Sequence, residues 1–290
     1  MIPPKFEYYA PASLEDAVNL LDRFGGEAKV LAGGQSLLPL LKLRLAEPKA
    51  LIDLNRIPNL AYIREEGDRL RIGALTRTND LNDSDLVRSH YPIFTDAAAV
   101  IADPLVRNMG TVGGNLSHGD PENDLPACMI ALGATYLVRG PNGDRTVPAD
   151  AFYVDTFTTA LEPNEVLVEV QVPRTRPGQG TAYIKLEKRA GDFPIVGVAA
   201  SLTESHGKIE KAGLGLTAVG PTALKAGEAE TSLSGHTPDE ASFRRAAELA
   251  RAASRPVTDL RGPAEYKKAM VGVLALRALH LAHQRAAGGR

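Results

Sequence analysis

The chain has 290 residues, 44% apolar and 23% charged, with a formal net charge of −2. That is ordinary globular composition with room for two or three small domains, and it excludes a nucleic-acid surface built on net positive charge. No run approaches the ~18 apolar residues of a membrane span, and the opening MIPPKFEYYAP carries no apolar signal segment. The expectation is a cytoplasmic protein, held at the inner face of a membrane only through partners. Cys128 is the sole cysteine, so an internal disulfide and a four-thiolate iron–sulfur cluster are both excluded; any such cluster would sit on another chain.

In chain order, residues 5–10 read as a first strand. A helix follows over 13–24, with Ser13 and Asp16 forming an S-x-x-D capping box. Leu14, Ala17, Val18, Leu21 and Phe24 recur there at helical spacing until Gly25 and Gly26 end it. Residues 29–31 give a short strand, 37–43 a short helix capped by Ser36, and 50–55 another strand, together a small α/β unit. Residues 62–65 and 69–72 form a hairpin around Glu66-Gly67-Asp68. One helix is expected over 78–89 and an alanine-rich one over 91–102, stopped by Asp103-Pro104. Asp80, Asn82 and Ser84 lack the glycine and closing glutamate of a calcium loop. Residues 125–132 read as a buried helix capped by Asp124, with Pro126 in its first turn and Cys128 in the core. Strands follow at 135–138 and 146–148 around Pro141-Asn142-Gly143, and at 166–172 with strict alternation; 173–180 is a linker dense in Pro, Gly and Arg. The last region holds strands at 182–188 and 195–202 and a glycine-studded one at 209–219. Helices follow at 238–254 and 263–284, the second with Tyr266, Met270, Val273, Leu274, Leu276 and Leu281 on its inner side; 285–290 would fray. No internal repeat is found.

Two glycine-rich stretches stand out. In the first, Ala32, Gly33 and Gly34 lie between a strand and a helix. Two glycines permit positive φ and close approach, and the free amides at a helix start attract phosphate, although a plain tight turn would look the same. In the second, RNMGTVGGNLSHGDPENDLP, Gly110, Gly113 and Gly114 bracket Thr111 and Val112. Neither contains G-x-G-x-x-G or G-x-x-x-x-G-K-[ST]. A pyrophosphate gripped from two sides would need two such loops. His118, Asp120, Glu122 and Asp124 crowd together, yet the Gly and Pro among them signal turns rather than a metal site. The six histidines have no metal spacing and no nucleophile–His–acid set is found, so no catalytic side chain and no metal ligand is nominated.

AGGQSLLPLLKLR with GTVGGNLSHGDPENDLPA resembles the FAD-binding medium subunits of the molybdenum hydroxylases, the xanthine dehydrogenase and aerobic carbon monoxide dehydrogenase group, with the carbon monoxide type the nearer. The resemblance covers nearly all of the chain. It implies an α+β fold: the two-subdomain FAD-binding fold of the vanillyl-alcohol oxidase (PCMH) type over 1–56 and 57–175, with FAD between them. A C-terminal α+β domain, a small antiparallel sheet with helices, would occupy 176–290.

The resemblance also implies residue roles. Ala32, Gly33, Gly34, Gln35, Ser36 and Leu37 would form the first pyrophosphate loop, mainly through backbone N–H groups, and Gly110, Thr111, Val112, Gly113, Gly114 and Asn115 the second, where Thr111 and Asn115 would offer side-chain hydrogen bonds and the glycines close approach. Ile101 would line the adenine side, a position equally suited to helix core. Asp124 would accept hydrogen bonds from the cofactor's sugar-like chain as well as cap its helix. Leu161 would neighbour the flavin ring. Lys185 would bring a cation to the ring's polar edge, or else be a solvated strand lysine. Phe193, where relatives often have Tyr, would cover the flavin face. Gln35 stands where many carbon monoxide-type relatives have His. The implied partners are a large subunit with the molybdenum cofactor and a small subunit with two [2Fe–2S] clusters, in a dimer of heterotrimers that passes electrons to an external acceptor such as a quinone. Two rival readings are a self-sufficient flavin reductase, which would need a proton donor and a nicotinamide site, and a non-enzymatic nucleotide-binding protein.

Overall fold

The computed structural model describes residues 2–288; Gly289 and Arg290, part of the expected frayed tail, lie outside the described residues. The first unit comprises β1 (Glu7–Tyr9), α1 (Leu14–Phe24), β2 (Ala28–Leu31), α2 (Leu37–Leu43) and β3 (Ala50–Asp53). Its three strands form a parallel sheet in the order β1-β3-β2. Ser13 caps α1 by accepting from the Asp16 N–H at 3.1 Å, and Gly25 ends it at φ 54°. Ser36, in contrast, makes no side-chain capping bond, its backbone being already helical there (φ −105°, ψ −49°).

The second unit adds β4 (Ile63–Glu66), β5 (Arg69–Gly73), α3 (Thr78–Asp83), α4 (Asp85–His90), α5 (Pro92–Val100), α6 (Pro104–Met109), α7 (Val112–His118), α8 (Asp124–Leu132), β6 (Thr135–Gly140), β7 (Gly143–Pro148), α9 (Ala149–Phe152), β8 (Tyr153–Asp155), β9 (Thr158–Thr159) and β10 (Val166–Pro173). Five of these strands form an antiparallel sheet, β4-β5-β10-β6-β7. The helix expected over 78–89 is two: Ser84 adopts extended backbone and caps α4 through the Val87 N–H. Asp103-Pro104 opens a helix instead of only closing one, with Asp103 accepting from the Val106 N–H and Pro104 in the first turn. The second glycine stretch is the start of α7 rather than a loop. Asp124 is the first residue of α8, and Asn123 holds the cap position. The central strand β10 faces two cores: Val166 and Val168 join the core of the first unit, while Leu167, Val170 and Val172 join that of the second.

The third unit is a four-stranded antiparallel sheet of β11 (Gln179–Leu186), β12 (Val196–Ser205), β13 (Lys208–Thr217) and β14 (Leu224–Lys225), with α10 (Gly227–Leu233), α11 (Glu240–Ala253) and α12 (Ala264–Ala286). The inner stripe of α12 agrees with expectation at Leu274, and at Met270, Leu276 and Leu281, which pack against the core, and differs elsewhere. Val271, Leu274, Ala275, Ala278, Leu279 and Ala282 are buried, while Tyr266 and Val273 are exposed. The helix lies so close to the sheet that a Cβ on Gly180 would stand 1.9 Å from the Ala282 carbonyl oxygen, so alanines form the contact. Its end does not fray before Ala286, because Arg285 grips Asp96 with two bonds of 2.6 and 3.0 Å. Among the described residues no helix is long and apolar enough to cross a membrane.

The glycines of β13 dock the third unit on the second. A Cβ on Gly213 would lie 1.9 Å from the Ala131 carbonyl oxygen, and one on Gly215 2.0 Å from that of Ala127. Four helical residues advance ~6 Å and two strand residues ~6.6 Å, so α8 and β13 repeat in step. Further along, the Thr217 hydroxyl donates to the Asn123 carbonyl at 2.6 Å. Leu214 and Leu216 are buried in the core of the third unit. Gly215→Val should therefore cost about 1–3 kcal/mol or more by overpacking, lowering Tm by roughly 3–10 °C in calorimetry. Gly227→Ala, with nothing within 4 Å of the added carbon, should leave Tm unchanged.

Candidate functional site

At the first glycine stretch β2 ends at Leu31, and the chain turns through Gly34 at φ 74° into α2. The backbone amides of Gly33, Gly34, Gln35, Ser36 and Leu37 meet no acceptor among the described residues. Five successive donors are thus free. Gly33 is required for packing: a Cβ there would stand 2.2 Å from the Met109 carbonyl oxygen. The Gln35 side chain folds back onto its own loop, donating to the Gly33 carbonyl at 3.3 Å.

The second stretch is built differently. Thr111 caps α7, its hydroxyl accepting from the Gly114 N–H at 3.1 Å. The amides of Gly110, Val112, Gly113 and Asn115 are given to the carbonyls of Val106, Thr76, Ala74 and Thr111. These glycines therefore serve close packing, and a Cβ on Gly113 would come within 2.5 Å of that of Ala74. The two stretches thus differ: the first loop has five free donors, whereas in the second only the Thr111 amide meets no acceptor among the described residues. What the second offers is side chain. Asn115 Oδ1 is buried and has no partner.

Both stretches line one cavity of about 920 Å³, near the upper end of the ~300–1,000 Å³ range of small-molecule sites. All of the nominated residues face it except Val112, whose side chain is in the core. His118 and Phe157 also line it, their rings 5.1 Å apart. Phe157 sits at φ 54°, a conformation that nothing in its residue type announces. Burial lowers the His118 pKa. Leu161 packs on the second unit's core beside the cavity.

One end of the cavity is walled by charge. Lys185 has a side chain only 2% exposed, so it is no solvated strand lysine. It donates to the Val100 carbonyl at 2.8 Å and lies 3.4 Å from Asp124 and 3.3 Å from Glu187. Ile101, which follows Val100 directly, also lines the cavity. Asp124 also accepts from the Tyr183 hydroxyl at 2.5 Å. Burial pushes the Asp124 carboxyl up to about 6, opposed by Lys185. Gly197 makes room for this contact, since a Cβ there would lie 2.3 Å from the Tyr183 hydroxyl oxygen. At the mouth, Phe193 is 47% exposed. The Arg261 guanidinium sits 5.6 Å from its ring centroid and pairs with Glu122. The crowded acids after His118 are thus each engaged locally, and among the described residues no three His, Cys, Asp or Glu side chains are placed to hold a metal.

Comparison with known proteins agrees with this geometry. Residues 4–175 match the family described as FAD binding domain in molybdopterin dehydrogenase. Residues 181–282 match the CO dehydrogenase flavoprotein C-terminal domain. The chain is 48% identical to the carbon monoxide dehydrogenase medium chain of Hydrogenophaga pseudoflava, covering 99% of this chain and 100% of that one. It is 38% identical to the 6-hydroxypseudooxynicotine dehydrogenase complex subunit alpha of Paenarthrobacter nicotinovorans, over 99% and 97% of the two chains. A solved carbon monoxide dehydrogenase structure from Hydrogenophaga pseudoflava superposes with a TM-score of 0.96 at 50% identity, over 98% of this chain and 99% of that one.

The raised pKa of Asp124 has a definite sign. Between about pH 4 and 6 the folded chain keeps a proton that the unfolded chain has released, so the stability this group contributes is present below pH 4 and lost as pH rises through about 6. The loss is about 3 kcal/mol. In urea unfolding of the cofactor-free chain, the stability of wild type relative to Asp124→Asn should fall by about that amount from pH 4 to pH 7.

Proposed function

We propose, from the premise that this chain belongs to the family of FAD-binding subunits of the molybdopterin dehydrogenases, that it is the FAD-carrying electron-transfer subunit of a multi-subunit oxidoreductase of the carbon monoxide dehydrogenase type. The observation that carries the reading is the run of five free amides, Gly33 to Leu37, opening into a cavity large enough for a dinucleotide. Those donors would hold the pyrophosphate, and Asn115 Oδ1, which has no partner, would accept from a hydroxyl of the cofactor. Asp124 would accept from the ribityl hydroxyls, and Lys185 would keep positive charge near the ring's polar edge. Bound FAD supplies the redox chemistry, accepting and passing on electrons.

With one buried cysteine, this chain cannot ligate an iron–sulfur cluster alone. In the proposed assembly a large partner oxidises carbon monoxide with water to carbon dioxide, two protons and two electrons at its molybdenum cofactor. A small partner relays the electrons through two [2Fe–2S] clusters to this chain, and an external acceptor such as a quinone withdraws them. The complex would be a dimer of such heterotrimers, and the chain would divide near 56 and 175 into two FAD-binding subdomains and a C-terminal flavoprotein domain. The substrate is bound on the large partner, so nothing in this chain selects it. A relative that is a subunit of a 6-hydroxypseudooxynicotine dehydrogenase complex keeps a second reading in view, the same subunit in a heterocycle or aldehyde hydroxylase.

The purified chain, with whatever subunits copurify, should show a flavin spectrum and release FAD rather than FMN, as judged before and after phosphodiesterase digestion. A colourless preparation from an intact complex would leave the glycine stretches as turns and the reading without support. Gly114→Asp adds a carboxylate and bulk at a position already 2.7 Å from the Thr111 hydroxyl oxygen, and should empty the site of flavin; normal occupancy would count against the loop assignment.

A further inference from the structure

Two side chains stand behind the cavity, line none of it, and join its two glycine stretches. Asn55, just past β3, donates through Nδ2 to the Ala32 carbonyl at 2.8 Å. Its Oδ1 accepts from Arg77 Nη2 at 2.9 Å. Arg77 Nη1 donates to the Met109 carbonyl at 2.5 Å. Ala32 opens the first loop and Met109 precedes the second. The Met109 oxygen is also the atom that Gly33 is bare to accommodate. One amide and one guanidinium thus span the gap between the free donors of Gly33 to Leu37 and the α7 face that carries Asn115.

The orientation of the Asn55 amide is fixed by its neighbours. Nδ2 faces two oxygens, those of Ala32 and of Asp53 Oδ1 at 2.6 Å, and Oδ1 faces the guanidinium. The reverse orientation would set oxygen against oxygen and nitrogen against a cation. Asp53 is itself fixed, accepting from the Tyr8 hydroxyl at 2.6 Å and from the Asn55 N–H at 2.9 Å. The relay therefore runs from the parallel sheet of the first unit into the helical cluster of the second.

We propose that Asn55 and Arg77 are positioning residues for FAD, a side-chain staple that sets the spacing of the two stretches and through it the affinity for the pyrophosphate. The proposal rests on the FAD reading of the cavity. Hydrogen bonds to a pyrophosphate demand donors at fixed positions, and displacement by about 1 Å is enough to lose most of their effect. Asn55 is exposed and Arg77 half-buried, so the staple adds little to the stability of the empty fold and its removal leaves no cavity in a core.

The test is a titration of FAD into the flavin-depleted full chain, with any copurifying subunits, for wild type, Asn55→Ala, Arg77→Ala, the double variant and Arg77→Lys. Each alanine variant should bind FAD about 10-fold or more weakly. The double variant should fall no more than about 3-fold below the weaker single, because both break one connection. Tm of the FAD-free chain should move by only a few degrees. Arg77→Lys keeps the charge but cannot reach Asn55 and Met109 together, so it should lose affinity like Arg77→Ala. Losses that add, or wild-type affinity in Arg77→Lys, would overturn the staple; the second would leave only a field effect of the charge. Should the alanine variants melt far below wild type, Arg77→Lys decides alone. A wild-type chain that takes up no FAD would refute the FAD reading, and the staple with it.

Discussion

Helix α8 can lie on strand β13 because Gly213 and Gly215 put no carbon between the two backbones, and much of one cavity wall follows from that contact. The first residue of α8 is Asp124. The contact sets how far Asp124 stands from β11, and so whether Tyr183 and Lys185 can reach it. Gly197 then clears the path of the Tyr183 hydroxyl, and Gly33 and Gly113 bring the first loop, the second stretch and the start of β5's following turn together in the same way. Side chains normally hold secondary structures ~8–10 Å apart. Here their absence brings polar groups from three units to one surface.

The charged wall has a cost of its own. Asp124, Lys185 and Glu187 are largely withdrawn from water, and two carboxyl groups share one lysine. Glu187 Oε2 is buried without a hydrogen bond. A pair desolvated in this way adds little to stability over an apolar substitute, and the rise in the Asp124 pKa expresses the same penalty. What the wall provides is a set of polar groups fixed before any ligand arrives, so that a ligand's hydroxyls meet acceptors that need no reordering.

The first loop was legible because strand, two glycines and helix follow one another within a few residues, and the consequence, free amides, is local. The second stretch was legible as a site, but how few of its amides are free was not. Its glycines look like those of a phosphate loop, but whether an amide is free depends on Ala74 and Thr76, some forty residues earlier. The α12 stripe was read only in part for a related reason: large apolar residues draw the eye, yet Gly180 brings the sheet so near that Ala275, Ala278 and Ala282 make the contact. The break at Ser84 has a local signal, since Ser before Asp85 is a good cap, whereas Asn55 and Arg77 give none, each being an ordinary polar residue until the fold sets them side by side.

Strand β10 belongs to two cores at once, and this bears on how the chain is made. The parallel sheet of the first unit leaves the ribosome early, but Val166 and Val168, which close its core, follow only after the whole helical cluster has been synthesised. At ~5–20 residues per second the nascent first unit carries an open apolar face for several seconds. Over that interval the core of the first unit lacks the two valines that complete it.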